Sequence, residues 1–247
     1  MSRSDSRFEN GYILDRVCFN YRIENRIHTV FDGLSLDISS ERVTVVLGRS
    51  GCGKTTLLRL LAGLLRPASG DIRFVRRGAA IAPKVGMVFQ ESRLFPWLRV
   101  GDNITIHRKK GPESAAIQQK YLSMMGLEAF ASAYPSQLSG GMAQRIAIAR
   151  ALAYEPNILL MDEPFSALDY FTRLQMQDEI LRIFRTLGIG IIFVTHNVEE
   201  ALNLAADLLI LKHQAAPVRI ELPAGDGSGG VRVETIKRQI LEFLKDV

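Results

Sequence analysis

The 247-residue sequence predicts an α/β fold: a mostly parallel sheet with an antiparallel β subdomain ahead of it and a helical subdomain inserted into it. Three observations carry that expectation. Five short apolar runs rich in β-branched residues, "RVTVVLG", "KVGMVFQ", "NILLMDE", "GIIFVTH" and "DLLILK", recur with helical stretches between them. That is the pattern of parallel strands buried on both faces. The opening stretches "YILDRVCFNYR" and "TVFDGLSLDI" instead alternate, as half-buried antiparallel strands do. Between Glu91 and Pro156 the buried-strand signal stops and helical pieces take over.

Taken in order, residues 8–40 form the antiparallel subdomain, and residues 41–90 open the core. There "RVTVVLG" is followed by a glycine-rich turn and by "KTTLLRLLAGLL", a helix expected to close at Arg66-Pro67. Strand, glycine loop and helix are the start of a βαβ unit. Residues 91–155 make the helical insert, with helices expected at "ESAAIQQKYLSMMGL" and "GGMAQRIAIARALA". The core resumes over 156–212, and 213–247 is a tail in which a flexible "LPAGDGSGG" precedes an amphipathic helix, "VETIKRQILEFLKDV". No internal repeat is present.

Composition narrows the function classes. Hydrophobic content of 47% and charged content of 23% belong to an ordinary globular chain. No apolar run reaches the roughly 18 residues needed to cross a bilayer, since "LLRLLAGLL" is interrupted by Arg59 and ends at Arg66. The polar start "MSRSDSRFEN" lacks the apolar stretch of a secretory signal, so a cytoplasmic protein is expected. Cys18 and Cys52 stand in no metal-ligand spacing and make no disulfide framework. The net charge of +5 reads as a solvated face with a slight basic excess. The basic cluster "HRKK", His107 to Lys110, has no interleaved aromatics, and no nucleic-acid partner is expected.

The chemistry starts at "GRSGCGKTT", which matches G-x-x-x-x-G-K-[ST] with Gly48, Gly53, Lys54 and Thr55 in register. Glycines let the backbone N–H groups of Ser50, Gly51 and Cys52 curl around phosphate oxygens. Lys54 reaches the terminal phosphates, and the Thr55 hydroxyl, with Thr56 beside it, can serve Mg²⁺ and phosphate. Such a loop needs a carboxylate on the metal side, and "NILLMDEP" supplies Asp162 for the metal and Glu163 to orient or deprotonate water. Gln90 and His196 each close a buried strand, where open α/β sheets bind ligands. A second anion site is written at "LSGGM": Ser139, Gly140 and Gly141 stand at a helix start, where bare N–H groups and the helix dipole favour negative charge.

With "GRSGCGKTT", Gln90, "LSGGM", "ILLMDEP", "SALD" and His196 in that order, the chain resembles the nucleotide-binding subunit of an ABC transporter, from about Tyr12 to Lys212. The resemblance implies a P-loop NTPase core of the ABC ATPase fold, with ATP and Mg²⁺ as ligands. It also implies that Ser139 and Gly141 cap the γ-phosphate of ATP held by a second copy, so that two chains sandwich two nucleotides head to tail. It places adenine on Tyr21, puts Gln90 on Mg²⁺, brings His196 to the γ-phosphate, and has Asp169 link the two sites. Permease subunits in the membrane, and indirectly a solute-binding protein, are the implied partners. The implied place is peripheral, on the cytoplasmic face of the membrane.

"VFQESRLFPWLRVGDNI" and Met142 resemble the importer branch for nitrate, sulfonates and taurine. "LKHQAAPVRIELP", which lacks an Arg-Pro-Gly turn, and Asn197 in place of aspartate depart from that branch. The tail is short for an appended regulatory domain. The alternative is a soluble ABC-type ATPase serving metal-cluster assembly or another non-transport role. An ATPase of chromosome organisation would need long coiled coils between Gly48 and Ser139, and no heptad pattern fills that stretch. The apolar residues Leu94, Phe95, Trp97 and Leu98 after Gln90 are expected to form a surface for the permease, with Trp97 the most buried of them and Phe95 exposed.

Overall fold

The computed structural model describes residues 9–24, 26–213, 215–222 and 230–245. The polar start of the chain and most of the expected linker at 223–229 lie outside the described residues. The chain divides into two compact units, Met1–Pro83 with Leu181–Val247, and Lys84–Ile180.

The first unit opens with β1 (Asn10–Ile23) and β2 (Arg26–Ser39), paired antiparallel along their length. Their alternation does what the sequence pattern requires: Tyr12, Leu14, Val17 and Phe19 are buried on β1, and Leu34 and Ile38 on β2. β3 (Val43–Leu47) is buried at every residue and runs into the glycine loop and α1 (Lys54–Leu61). That helix stops ahead of the expected Arg66-Pro67, because Gly63 takes a left-handed φ of +70° and the Leu64 N–H turns back to the Arg59 carbonyl at 2.9 Å.

β4 (Ser69–Arg76) and β5 (Ala79–Ile81) then join the antiparallel sheet in the order β2-β1-β4-β5. The sheet thus takes in a stretch expected to belong to the nucleotide-binding core. Its close pairing needs Gly70 at φ +84°, where a Cβ would lie 2.3 Å from the Arg16 carbonyl oxygen.

The second unit holds β6 (Val85–Val88), α2 (Val100–Ile104), α3 (Pro112–Met125), α4 (Gly140–Ala153) and β7 (Ile158–Asp162). β6 and β7 pair in parallel. α3 is bounded as its sequence dictates, by Pro112 in its first turn and by Gly126 at φ +65° after its end. α4 is long and apolar, with Ile146, Ile148, Ala149, Leu152 and Ala153 buried. Gly86 lets it approach β6, since a Cβ there would sit 3.1 Å from the Ala151 carbonyl oxygen. The basic cluster beside it is neutralised within the unit: Arg108 pairs with Glu113 at 2.7 Å and Glu155 at 3.4 Å, and Lys110 with Asp102 at 3.2 Å.

The chain returns through α5 (Tyr170–Leu187) to β8 (Gly190–Thr195), α6 (Val198–Leu204), β9 (Asp207–Ile210), β10 (Val218–Glu221) and α7 (Gly230–Lys245). In the first unit β3 lies between β8 and β9, parallel to both, and β10 closes antiparallel on β9. α7 is amphipathic and seats Ile240 with no exposed surface. The fold is therefore the expected α/β one: largely parallel buried strands, an antiparallel β sheet and a helical set. No helix among the described residues is long and apolar enough to cross a membrane.

Candidate functional site

The phosphate loop hangs from the carboxyl end of β3. Gly51 and Gly53 hold φ of +83° and +102°, conformations open to glycine and costly to other residues. A Cβ at Gly48 would strike the Leu211 carbonyl oxygen at 2.5 Å and Cys52 Sγ at 2.6 Å, and one at Gly53 would meet Val30 and Phe31 below 3.0 Å. These glycines therefore hold the loop flat against its neighbours. α1 starts on Gly53 with no side-chain cap, and a helix start of that kind suits an anion. Lys54 is buried, and its ammonium donates to the carbonyls of Gly48 and Arg49 at 2.9 and 3.1 Å. Thr55 is half-buried and Thr56 buried.

Tyr21 belongs to the same place. Its ring lies edge-to-face on Phe19 with centroids 4.9 Å apart, and its hydroxyl is 3.4 Å from Thr56 Oγ1. The structure brings the aromatic candidate to the phosphate loop from a distant strand. His196, the third element of the first unit's set, follows β8 in an exposed turn. The turn is tightly tied. Asn197 caps α6 by accepting from the N–H groups of Glu199 and Glu200, and donates its own N–H to Thr195 Oγ1 at 3.0 Å. Thr195 in turn donates to the buried Glu200 carboxylate at 2.5 Å. Asparagine in place of aspartate is thus an ordinary helix cap that fixes the backbone beside His196.

The second unit carries the rest. Asp162 ends β7 and is 8% exposed, while Glu163 follows, half-buried, at φ +44°. A non-glycine residue in that region costs on the order of 1–2 kcal/mol, and such strain concentrates at working sites. Asp169 caps α5, accepting from the Thr172 N–H at 3.0 Å. The Thr172 hydroxyl and N–H hold its carboxyl below the usual aspartate value. Ser139 caps α4, its Oγ accepting from the Met142 N–H at 3.3 Å. Gly140 has open space where a Cβ would stand, whereas a Cβ at Gly141 would lie 2.8 Å from Thr172 Cγ2. One glycine is exposed for an incoming group, and the other packs the α4 start against the α5 start.

Two residues not anticipated from the sequence hold the segment around Gln90, which is exposed two residues beyond β6. Gln144, buried on α4, donates to the Phe89 carbonyl at 3.3 Å. Arg150 donates to the carbonyls of Ser92 and Arg93 at 2.9 and 2.8 Å, and burial lowers its guanidinium pKa from the usual value. The signal for both was polarity inside an otherwise apolar helix.

The following loop is latched by Asn103, fully buried, which accepts from the Phe95 N–H and donates to the carbonyls of Phe95, Leu98 and Arg99. One expectation is corrected here. Trp97 is 71% exposed and Phe95 is the half-buried ring of the pair, because the Asn103 latch and the Arg150 guanidinium, 5.7 Å from the Phe95 ring, turn Phe95 inward.

A phosphate loop on a parallel α/β core, with an acidic pair at a strand end, defines a nucleotide triphosphatase of the P-loop class. Comparison with known proteins narrows this. The model of the family described as "ABC transporter" matches residues 31–166. The chain is 43% identical over 198 residues, 80% of its own length and 82% of the other's, to the aliphatic sulfonates import ATP-binding protein SsuB 2 of Pseudomonas syringae pv. tomato. It is 41% identical over 209 residues, 81% and 82% of the two lengths, to SsuB of Bacillus subtilis.

Among solved structures it superposes with TM-score 0.75 and 28% identity on the ATP-binding cassette MJ0796, a dimer in a post-hydrolysis state bound to ADP and Pi. The match covers 87% of this chain and all of that one. It superposes with TM-score 0.74 and 25% identity on cbiO1 of Clostridium perfringens, part of an ABC transporter complex, covering 85% and 88%. The chain belongs to the ABC transporter family, as one of its ATP-binding and ATP-hydrolysing proteins.

Proposed function

We propose that the chain powers an importer of a small anionic or polar solute, with alkanesulfonates first and nitrate or taurine next. It works from the cytoplasmic face of the membrane, bound to permease subunits that receive cargo from a solute-binding protein. The solute class rests on the 41–43% identity to proteins named for aliphatic sulfonate import. The mechanical part rests on one observation: the chain carries two helix starts suited to phosphate oxygens, α1 behind Gly53 and α4 behind Ser139. One nucleotide needs only one phosphate loop. The second start is read as half of a site completed by another copy, Ser139, Gly140 and Gly141 of one chain closing on the γ-phosphate held by the other.

Within that reading Gly48, Ser50, Gly51, Cys52, Gly53, Lys54 and Thr56 hold the phosphates, and Tyr21 stacks on the base. Glu163 orients and deprotonates the attacking water. His196 contacts the γ-phosphate, and Asp169 couples the two sites across the dimer. Thr55, Gln90 and Asp162 offer a hydroxyl, an amide oxygen and a carboxylate, a hard-oxygen set. That set suits Mg²⁺, a cation that keeps waters and takes phosphate oxygens rather than a cage of protein ligands. Bound there, Mg²⁺ would neutralise charge developing on the phosphates. Residues 8–40, 41–90 with 156–212, 91–155 and 213–247 are proposed as the antiparallel subdomain, core, helical subdomain and tail.

The reading is tested by deleting the gene and measuring uptake of a labelled alkanesulfonate. Uptake should vanish, and return with the wild-type gene but not with Glu163→Gln. Undiminished uptake, with loss of a different solute, would refute the assigned cargo.

A further inference from the structure

Beside the phosphate loop, wholly within the first unit, lies a cavity of about 420 Å³, within the size range of small-molecule sites. Its apolar wall is Leu211, which follows β9, together with Phe243 and Leu244 from the last turns of α7. Its rim is basic. Arg49 and Lys212 line it, as do His28 and His213, whose rings stack at 5.8 Å with 13° between their planes. The Lys212 ammonium stands 5.5 Å from the centre of the Phe243 ring. Among the described residues, no carboxylate lines the cavity.

Of the residues read as gripping the nucleotide, Ser50, Gly51 and Cys52 line this cavity and the others do not. Lys54, Thr55, Thr56 and Tyr21 do not line this cavity, whereas the loop stretch Arg49–Cys52 forms one of its sides. The contact between that stretch and the opposite wall has no slack, since Gly48 has no room for a Cβ between the Leu211 carbonyl and Cys52 Sγ. α7 is held in place by the buried Ile240 and by Lys237, 3.7 Å from Glu199 on α6. A ligand wedged between α7 and the loop would press on the loop's outer flank.

We propose that this cavity is a regulatory site for a small organic anion with a compact apolar body, and that its occupation changes the loop's affinity for ATP. The anionic head is met by the Arg49 guanidinium and the Lys212 ammonium, with the two imidazoles as further donors. The body lies against Leu211, Phe243 and Leu244. Only the coupling to ATP rests on the reading of Gly48–Thr56 as the ATP phosphate site; binding of the anion does not.

The probe is 1-anilinonaphthalene-8-sulfonate, an aryl sulfonate whose fluorescence rises in apolar surroundings, titrated into the full chain. Saturable one-to-one binding is expected. Lys212→Glu, which reverses charge at the rim, should weaken it at least about tenfold, and Leu244→Trp, which fills the cavity, should abolish it. Both variants should keep the wild-type melting temperature and nucleotide affinity without probe. At saturating probe the affinity for a fluorescent ATP analogue should shift at least about threefold, and saturating analogue should shift probe affinity by the same factor, because such coupling is reciprocal.

Probe binding that ignores both variants would place the dye elsewhere and overturn the site. Outright competition, with no ternary complex, would make the cavity part of the nucleotide site. Independent binding with no change in nucleotide affinity would overturn the regulation. A chain that binds the probe as expected but no nucleotide would refute the ATP reading alone.

Discussion

α1 begins on Gly53, with no side-chain cap and a buried Lys54 folded onto the carbonyls of its own loop, whereas α4 begins on Ser139, whose hydroxyl already accepts the Met142 N–H. Both starts offer N–H groups and the positive end of a helix dipole. The first has no side-chain cap and carries a cation in its own loop, so on the proposed reading it holds phosphate without another body. The second has one donor satisfied by its own cap and supplies no charge, so on the same reading it adds only neutral hydrogen bonds to an anion that something else presents. On the proposed function, this asymmetry gives the two helix ends different work: one grips, and the other closes over what is gripped.

The largest effect should come from the residue that belongs to neither helix. Glu163 sits half-buried directly after β7 in a left-handed conformation, held by the chain around it. Glu163→Gln preserves shape and removes the base, and ATP turnover should fall by at least about 10²-fold with nucleotide affinity kept. Steady-state phosphate release and nucleotide titration on the purified variant check this; turnover within a fewfold of wild type would assign the base elsewhere.

Next comes the contrast itself. Lys54→Ala removes a charge-assisted contact commonly worth about 1.5–3 kcal/mol, so the isolated chain should bind ATP about ten- to a hundredfold more weakly. Ser139→Ala should leave affinity in the isolated chain within about twofold, while hydrolysis falls. It should also lower stability by about 1 kcal/mol, the usual loss for a serine cap. Titrations at chain concentrations too low for self-association separate the two. If both variants lost affinity equally in that regime, the division into a gripping and a closing helix would be wrong.

The two helix starts were legible in the sequence because both glycine motifs are local: a few consecutive residues fix each one. Four of the five core strands were legible for a related reason. β3, β7, β8 and β9 are buried at every position, so each apolar run is also a strand. β4 was not, since "SGDIRFVR" is mostly exposed and becomes a strand by pairing with β1 far back in the chain and with the short β5. Gln144, Arg150 and Asn103 escaped because their partners are backbone carbonyls and N–H groups, which no sequence pattern marks. The two rings of "FPW" were misjudged for the same reason, since size and apolarity favour burying tryptophan, and the Asn103 latch and the Arg150 guanidinium decide otherwise.

The smallest effect on the isolated subunit, and the sharpest statement about that loop, concerns Trp97. With 71% of its surface exposed, it contributes little to the fold, and Trp97→Ser should leave the melting temperature within about 1 °C, with nucleotide affinity and basal hydrolysis unchanged. Asn103→Ala is the opposite case. It strips a fully buried side chain from four backbone partners, leaving polar groups unsatisfied at about 1–3 kcal/mol each, and should melt several degrees lower.

An exposed tryptophan on a loop held this rigidly is what a docking surface requires, since the partner gains the ring's burial without having to order the loop. Trp97→Ser should therefore reduce co-purification with the membrane permease and cargo uptake, although nothing changes in the isolated chain. If assembly and uptake survive it, but fail in a Phe95→Ser variant that remains folded, the docking face is the inward side of the loop rather than its tip.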